Sequence, residues 1–260
     1  MASGGIALVT GGARRIGAAI VKKLAAEGWD VCIHYNTSAT EAVELRDALI
    51  AQGRRCVAIK ADLENPAQAP ALVAQCEERF GAPATALINN ASVFEYDTLQ
   101  TLAPDHLQKT LNVNLVAPML LAHAFAKASG AEGCIVNILD QKVRNLNPDF
   151  FSYTLSKVAL AGATGLLARA LAPVRVCGVA PGSSLPSADE TEAEFLRARR
   201  ATPLGRTSTP DDVADAVLFL LRAKAVTGEV LTVDGGQHLT PADRDIMFLQ
   251  RALTHAKTPI

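Results

Sequence analysis

Short apolar, β-branched runs alternate with longer helical stretches along the whole chain, and this rhythm restricts the fold more than any other feature. Strands are expected at Ile6–Thr10, Asp30–His34, Arg55–Lys60, Ala86–Asn89, Cys134–Leu139, Val174–Val179 and Glu229–Val233. Helices are expected at Arg15–Glu27, with Gly28 placed to end it, and at Thr40–Gln52, Pro66–Phe80, Pro104–Ser129, Ser152–Leu171, Asp189–Arg200 and Asp211–Arg222. Strand–helix alternation implies a parallel sheet with helices on both faces, and the mostly apolar strand runs fit strands buried on both sides. The chain has no internal repeat and no Pro-, Gly- or Ser-rich linker, so residues 1–260 read as one domain with a tail at 240–260. Within that tail Thr240-Pro241-Ala242-Asp243 has the composition of a helix start, and Ile246, Phe248, Leu249 and Leu253 give it an apolar side. Pro181–Arg206 is a long loop of the kind that covers a ligand in open α/β folds.

Composition narrows the function. A hydrophobic share of 49% and a charged share of 20% suit a globular chain rather than a disordered one. The net charge of −1 leaves no basic footprint for nucleic acid. No run of about 18 uninterrupted apolar residues exists to span a membrane. The five cysteines are scattered without a CxxC pair, which argues against a zinc site and for a reducing, cytoplasmic setting.

Two motifs carry chemistry. The first strand runs into Thr10-Gly11-Gly12-Ala13-Arg14-Arg15-Ile16-Gly17 and then a helix, an arrangement that aims backbone N–H groups at an anion. Gly11 permits the turn and Gly17 permits close helix packing. The second strand ends in His34-Tyr35-Asn36-Thr37-Ser38, without the carboxylate that usually holds a ribose 2′-hydroxyl. Ser38, Thr37 and Arg14 suit a 2′-phosphate instead, so NADP(H) is the expected cofactor. The second motif is Tyr153-Thr154-Leu155-Ser156-Lys157. Residues i and i+4 share a helix face, so the phenol and ammonium converge, and a nearby cation is expected to lower the phenol pKa.

These residues, with Asp62, Asn89-Asn90-Ala91, Asn114, Pro181-Gly182 and Val233-Asp234-Gly235-Gly236, resemble the short-chain dehydrogenase/reductase family along nearly the whole chain. The resemblance implies a Rossmann-type doubly wound sheet of about seven strands in the order 3-2-1-4-5-6-7, and a homotetramer built on helices 104–129 and 152–171. It implies that Tyr153 is the acid/base and that Lys157 binds the nicotinamide ribose. Asn114 would hold a water in a proton relay. Asp62 would contact the adenine with Leu63 beside it, Asn90 and Ala91 the adenosine-side ribose region, and Pro181, Gly182 and Ser183 the nicotinamide. Two positions depart from the general pattern. Asp140 stands where the family usually has Ser, and Arg15 replaces a glycine of the phosphate loop. Both departures resemble the pteridine and dihydromonapterin reductases, as does Asn89-Asn90-Ala91-Ser92-Val93-Phe94.

For a flat, polar pterin, Phe94 would stack on the ring, Ser92 and Arg15 would bind its polar edge or the cofactor phosphates, and Leu185 would border it. Asp140 beside Tyr153 would serve a proton relay to a ring nitrogen, its pKa raised in a closed site. Met247 and Phe248 read as packing or interface residues, and the tail as a segment that borders a neighbour's active site. The expected activity is NADPH-dependent reduction of a dihydropterin, with dihydrofolate as a further substrate. The rival readings are a 3-oxoacyl or other carbonyl reductase, and a non-catalytic NADP(H)-binding sensor.

Overall fold

The computed structural model describes residues 4–130, 133–186, 191–240 and 242–248. Seven strands form one parallel sheet: β1 (Ile6–Val9), β2 (Asp30–Tyr35), β3 (Cys56–Lys60), β4 (Ala86–Asn89), β5 (Cys134–Ile138), β6 (Arg175–Pro181) and β7 (Val230–Val233). Their order is β3-β2-β1-β4-β5-β6-β7, as expected, with Val9 level with both Ile33 and Ile88. The helices are α1 (Arg15–Ala26), α2 (Ala39–Ala51), α3 (Gln68–Phe80), α4 (Pro104–Leu111), α5 (Ala117–Ser129), α6 (Phe151–Ala170), α7 (Glu192–Arg200) and α8 (Pro210–Arg222).

Period-two alternation divides the strand side chains between two cores. Ala7 and Val9 of β1, with Val31 and Ile33 of β2, pack with α1, α2 and α8. Ile6, Leu8 and Cys32 point the other way, against α3, α5 and the end of α6. All five cysteines are buried free thiols. In Cys56 and Cys134 burial pushes the thiol up to about 12, so both behave as small hydrophobes.

The stretch 104–129 is helical throughout, as expected, though not α throughout. A π turn at Asn112–Val116 separates α4 from α5, and it forms where Asn114 turns its side chain inward to bond the backbone of Val93. By length and composition this stretch could cross a bilayer. Here Leu121, Ala122 and Phe125 are wholly buried against the sheet and α3 instead. The helix expected at Asp189–Arg200 spans Glu192–Arg200, because Thr191 and Glu194 form a capping box that starts it there. The helix start expected at Thr240 is displaced. Ile246–Phe248 are the helical residues of the described tail, with Asp245 accepting from the Met247 amide. Pro241, Leu249 and Leu253 lie outside the described residues.

Arg175 ties two elements together. Its guanidinium donates to the carbonyls of Leu220, Leu221, Ala223 and Val226 at the end of α8 and just past it, of which Ala223's also accepts the Val226 amide. Arg175→Ala is expected to cost about 2 kcal/mol and to lower Tm by roughly 4–8 °C, measured by thermal unfolding.

Candidate active site

The carboxyl ends of β1, β4, β5 and β6 open into a cavity of 570 Å³. Gly11, Arg14, Arg15, Ile16 and Gly17 form one end, and Asp140, Tyr153 and Lys157 the middle. At the glycine turn, Gly11 has a φ of +60°, and a Cβ on Gly17 would stand 2.1 Å from the Gly11 oxygen. The turn therefore passes under α1 at a distance only glycine allows, leaving the first amides of α1 for an anion. Arg15 has a φ of +53°, the left-handed conformation of the glycine it replaces, and its guanidinium donates to the Pro186 oxygen. The strain buys a cation at the cavity edge.

Two residues expected to touch cofactor bond the protein itself. His34 is buried; its Nδ1 accepts the Gly11 amide and its Nε2 donates to the Ala61 oxygen. Burial holds it down to about 4, so it stays neutral and braces the turn rather than binding phosphate. Asn90 spends its side-chain amide on the Thr10 and Gly11 oxygens, while Thr10 Oγ1 accepts the amides of Asn90 and Ala91. Both residues brace the turn, and Asn90 also lines the cavity, where it was expected. Leu63 is likewise a buried core side chain. At the ends of β2 and β3, Asn36 and Thr37 are exposed, and Asn36 donates to Asp62. Tyr35 packs partly against the core beside the half-buried Ser38. Arg14 reaches the start of α2, where it pairs with Glu41 at 3.5 Å.

The reacting groups are held from both ends of α6. Asp97 accepts the Ser152 amide and hydroxyl at the helix N-terminus. A buried chain from Asn89 through Asn137 to Thr164 pins the middle of the helix to β4 and β5. Phe150, with a φ of +53°, opens the helix. The Tyr153 hydroxyl then donates to Asp140 Oδ2 at 2.8 Å, and the Lys142 amide donates to Asp140 Oδ1. Burial raises the Asp140 pKa above the ordinary carboxylate range, as expected, although Lys142 and Tyr153 oppose it. The expected lowering of the Tyr153 pKa is reversed. Burial and the adjoining Asp140 carboxylate lift the phenol well above its ordinary 10, while Lys157 lies 5.6 Å from the ring centre. Lys157 donates to the Ile138 oxygen, and burial lowers its pKa to about 8. The Asn114 side chain bonds the Val93 backbone and Ser156, which fixes it beside α6.

Phe94 is half exposed on the cavity wall and already stacks on Phe150 at 4.3 Å and meets Tyr153 edge-on at 4.7 Å. Ser92 is exposed beside it. Pro181, Gly182, Ser183 and Leu185 border the cavity from the β6 end. Sequence reasoning missed Gln141, Lys142, Phe150, Asp245 and Ile246, and it assigned Met247 to packing or an interface, although Met247 both packs on Tyr153 and lines the cavity. Gln141 and Lys142 had a local signal, one and two residues beyond Asp140. Among the described residues no group of three His, Cys, Asp or Glu side chains could hold a metal.

Comparisons with known proteins agree with this geometry. Residues 11–238 match the family profile described as enoyl-(acyl carrier protein) reductase. The solved structure of FolM alternative dihydrofolate reductase 1 from Brucella suis, in complex with NADP, is similar with a TM-score of 0.89 and 40% identity, over 93% of this chain and 98% of that one. Pteridine reductase 1 from Leishmania tarentolae is 33% identical over 286 residues, 91% of this chain and 97% of its own. An uncharacterized oxidoreductase from Methylorubrum extorquens is 35% identical over 242 residues, 90% of this chain and 97% of its own. The chain belongs to the short-chain dehydrogenase/reductase family.

Proposed function

We propose that this protein is an NADPH-dependent reductase of dihydropterins, with dihydrofolate as a second substrate. The observation that carries the reading is the 2.8 Å hydrogen bond from Tyr153 to the half-buried Asp140, where a carbonyl reductase needs a hydroxyl donor. The relatives named as dihydrofolate and pteridine reductases support it. The glycine turn and the amides of α1 fit a dinucleotide pyrophosphate, and Arg14, Thr37 and Ser38 fit a 2′-phosphate. Asp62 lies where the adenine end would rest, and Pro181 to Ser183 border the nicotinamide end. When bound, NADPH supplies the hydride that makes the new C–H bond at the substrate C=N carbon.

This chain's residues manage the proton. The Tyr153 hydroxyl gives its proton to the ring nitrogen as the C=N π bond is reduced and an N–H bond forms. A phenol with so high a pKa yields its proton only to a strongly basic nitrogen, which the substrate presents as hydride arrives. Asp140, whose pKa burial raises, is the group that returns a proton to Tyr153 through the same hydrogen bond. Lys157 holds the nicotinamide ribose, and Arg15, Ser92 and Phe94 hold the pterin edge and face. The exposed Leu155, Val158 and Leu166 of α6 suit the helix-mediated tetramer that the family resemblance implies.

NADPH oxidation with dihydrobiopterin or dihydromonapterin, dihydrofolate and a 3-oxoacyl thioester tests the reading. Pterin turnover well above the thioester is expected, and turnover of the thioester alone would overturn it. Asp140→Asn is expected to lower kcat on the pterin by roughly 10²–10⁴-fold. Arg14→Ala is expected to raise KM for NADPH about tenfold while leaving KM for NADH unchanged, a split read by steady-state kinetics. Lys157 places a charge where burial opposes it, at a cost on the order of 2–3 kcal/mol at neutral pH. Its folded pKa lies below its unfolded one, so the folded state binds fewer protons between about 8 and 10.5 and wild type gains stability as pH rises through that window. Lys157→Met is therefore expected to melt a few degrees above wild type at pH 7, with the gap closing towards pH 10.

A further inference from the structure

Lys142 is a buried cation whose ammonium makes no direct bond to the reacting groups. Its ammonium donates to Asn147 Oδ1 and to the Asp149 oxygen, stands 5.3 Å from the Phe150 ring centre, and pairs with Asp245 at 2.9 Å. Every partner but Asp245 comes from its own β5–α6 loop. A second ion pair crosses the same boundary. Arg244 Nε donates to both oxygens of the buried Asp149, Arg244 Nη2 donates to one of them, and the Asp245 amide donates to the other at 2.7 Å. Two consecutive tail residues of opposite charge thus meet two loop residues of opposite charge. Both loop partners are buried, so undocking the tail strips each of its direct ion-pair partner and leaves Lys142 and Asp149 only the weaker attraction between themselves. Burial works against the Asp149 carboxylate, yet Arg244 and the Asp245 amide hold it below its ordinary range.

The latch has contents. Asp245, Ile246 and Met247 line the cavity, and Met247 is buried against Phe150 and Tyr153. On the facing side, Asp140, Gln141 and Lys142 line it too. Residues 242–248 therefore pack on their own chain's reaction centre; residues 249–260 lie outside the described residues.

We propose that the crossed pairs Arg244–Asp149 and Lys142–Asp245 latch residues 242–248 in place as the substrate-side wall of the pocket, and that Met247 on this wall sets the size of substituent a flat heteroaromatic substrate can carry. Arg244 is a positioning residue that acts through Asp245 and Met247. The substrate class rests on the reductase reading above; the latch does not. A thioether is unbranched and polarisable, suited to the edge of a planar ring, and its truncation opens room beside Tyr153. The latch touches neither the glycine turn nor the end of β2, so its loss should reach the substrate and spare the cofactor.

The test uses the full chain. Kinetics are taken on whichever substrate of the panel wild type turns over. Arg244→Gln is expected to raise KM for that substrate about tenfold, with kcat changed less than about threefold and KM for NADPH unchanged. Met247→Ala is expected to raise kcat/KM for a substrate with a bulky ring substituent over a compact one by about fivefold or more. Amide hydrogen exchange reads the latch without substrate: Arg244→Gln should speed exchange at Asp245, Met247 and Phe248 and leave β1 and α8 unchanged. Unchanged exchange and unchanged KM would overturn the proposal, as would equal losses for substrate and NADPH. Wild type that reduces only the thioester, with the exchange and KM pattern intact, would overturn the pterin reading and leave the latch standing.

Discussion

Strand order reverses at β1, and the rest of the molecule is arranged around that reversal. To the left of β1 the chain runs outward through β2 and β3; to the right it runs through β4 to β7. Connections leaving the carboxyl ends of β1 and β4 must therefore diverge, and a crevice opens between them. The backbone groups at those ends have no further strand to pair with. Thr10, Asn90 and His34 satisfy them, which leaves the amides of α1 free for a ligand. The reacting groups follow along the same edge, with Asp140 just beyond β5 and Pro181 closing β6.

Several parts of this edge oppose folding. Asp140 and Lys157 are ionisable groups in surroundings that disfavour their charges, and Arg15 and Phe150 hold left-handed backbones without being glycine. Each lies on the cavity or against its wall. The two cores on either face of the sheet, with wholly buried Leu8, Ile33, Leu87 and Ile135, supply the surplus that tolerates them. The stability ceded at the site is what holds Tyr153 and Asp140 within one hydrogen bond of each other.

The alternation of apolar runs and helical stretches was enough to read the sheet, because strands buried on both faces leave an unbroken apolar signature. Tyr153 and Lys157 were legible from helical spacing, and Asp140 and Arg15 from their departure from a family pattern. The roles of His34 and Asn90 were not. Both sit in motifs that touch cofactor in the resemblance, yet their side chains turn inward to partners 23 and 79 residues away. The sign of the Tyr153 shift was missed for a related reason: a helical neighbour was visible in the sequence, whereas the burial that outweighs it was not. The tail was the least legible, since Arg244 and Asp149 are 95 residues apart and no local pattern links them.

The His34 brace gives the protein an uneven response to acid. In the unfolded chain an imidazole takes a proton near pH 6.5, but here burial delays that to about 4. The stabilisation it lends is complete above about 6.5 and drains away as the pH falls towards 4. A protonated ring carries N–H on both nitrogens, so Nδ1 would then face the Gly11 amide as donor to donor. The ring therefore braces the turn down to about pH 4, and below that its protonation sets it against the Gly11 amide.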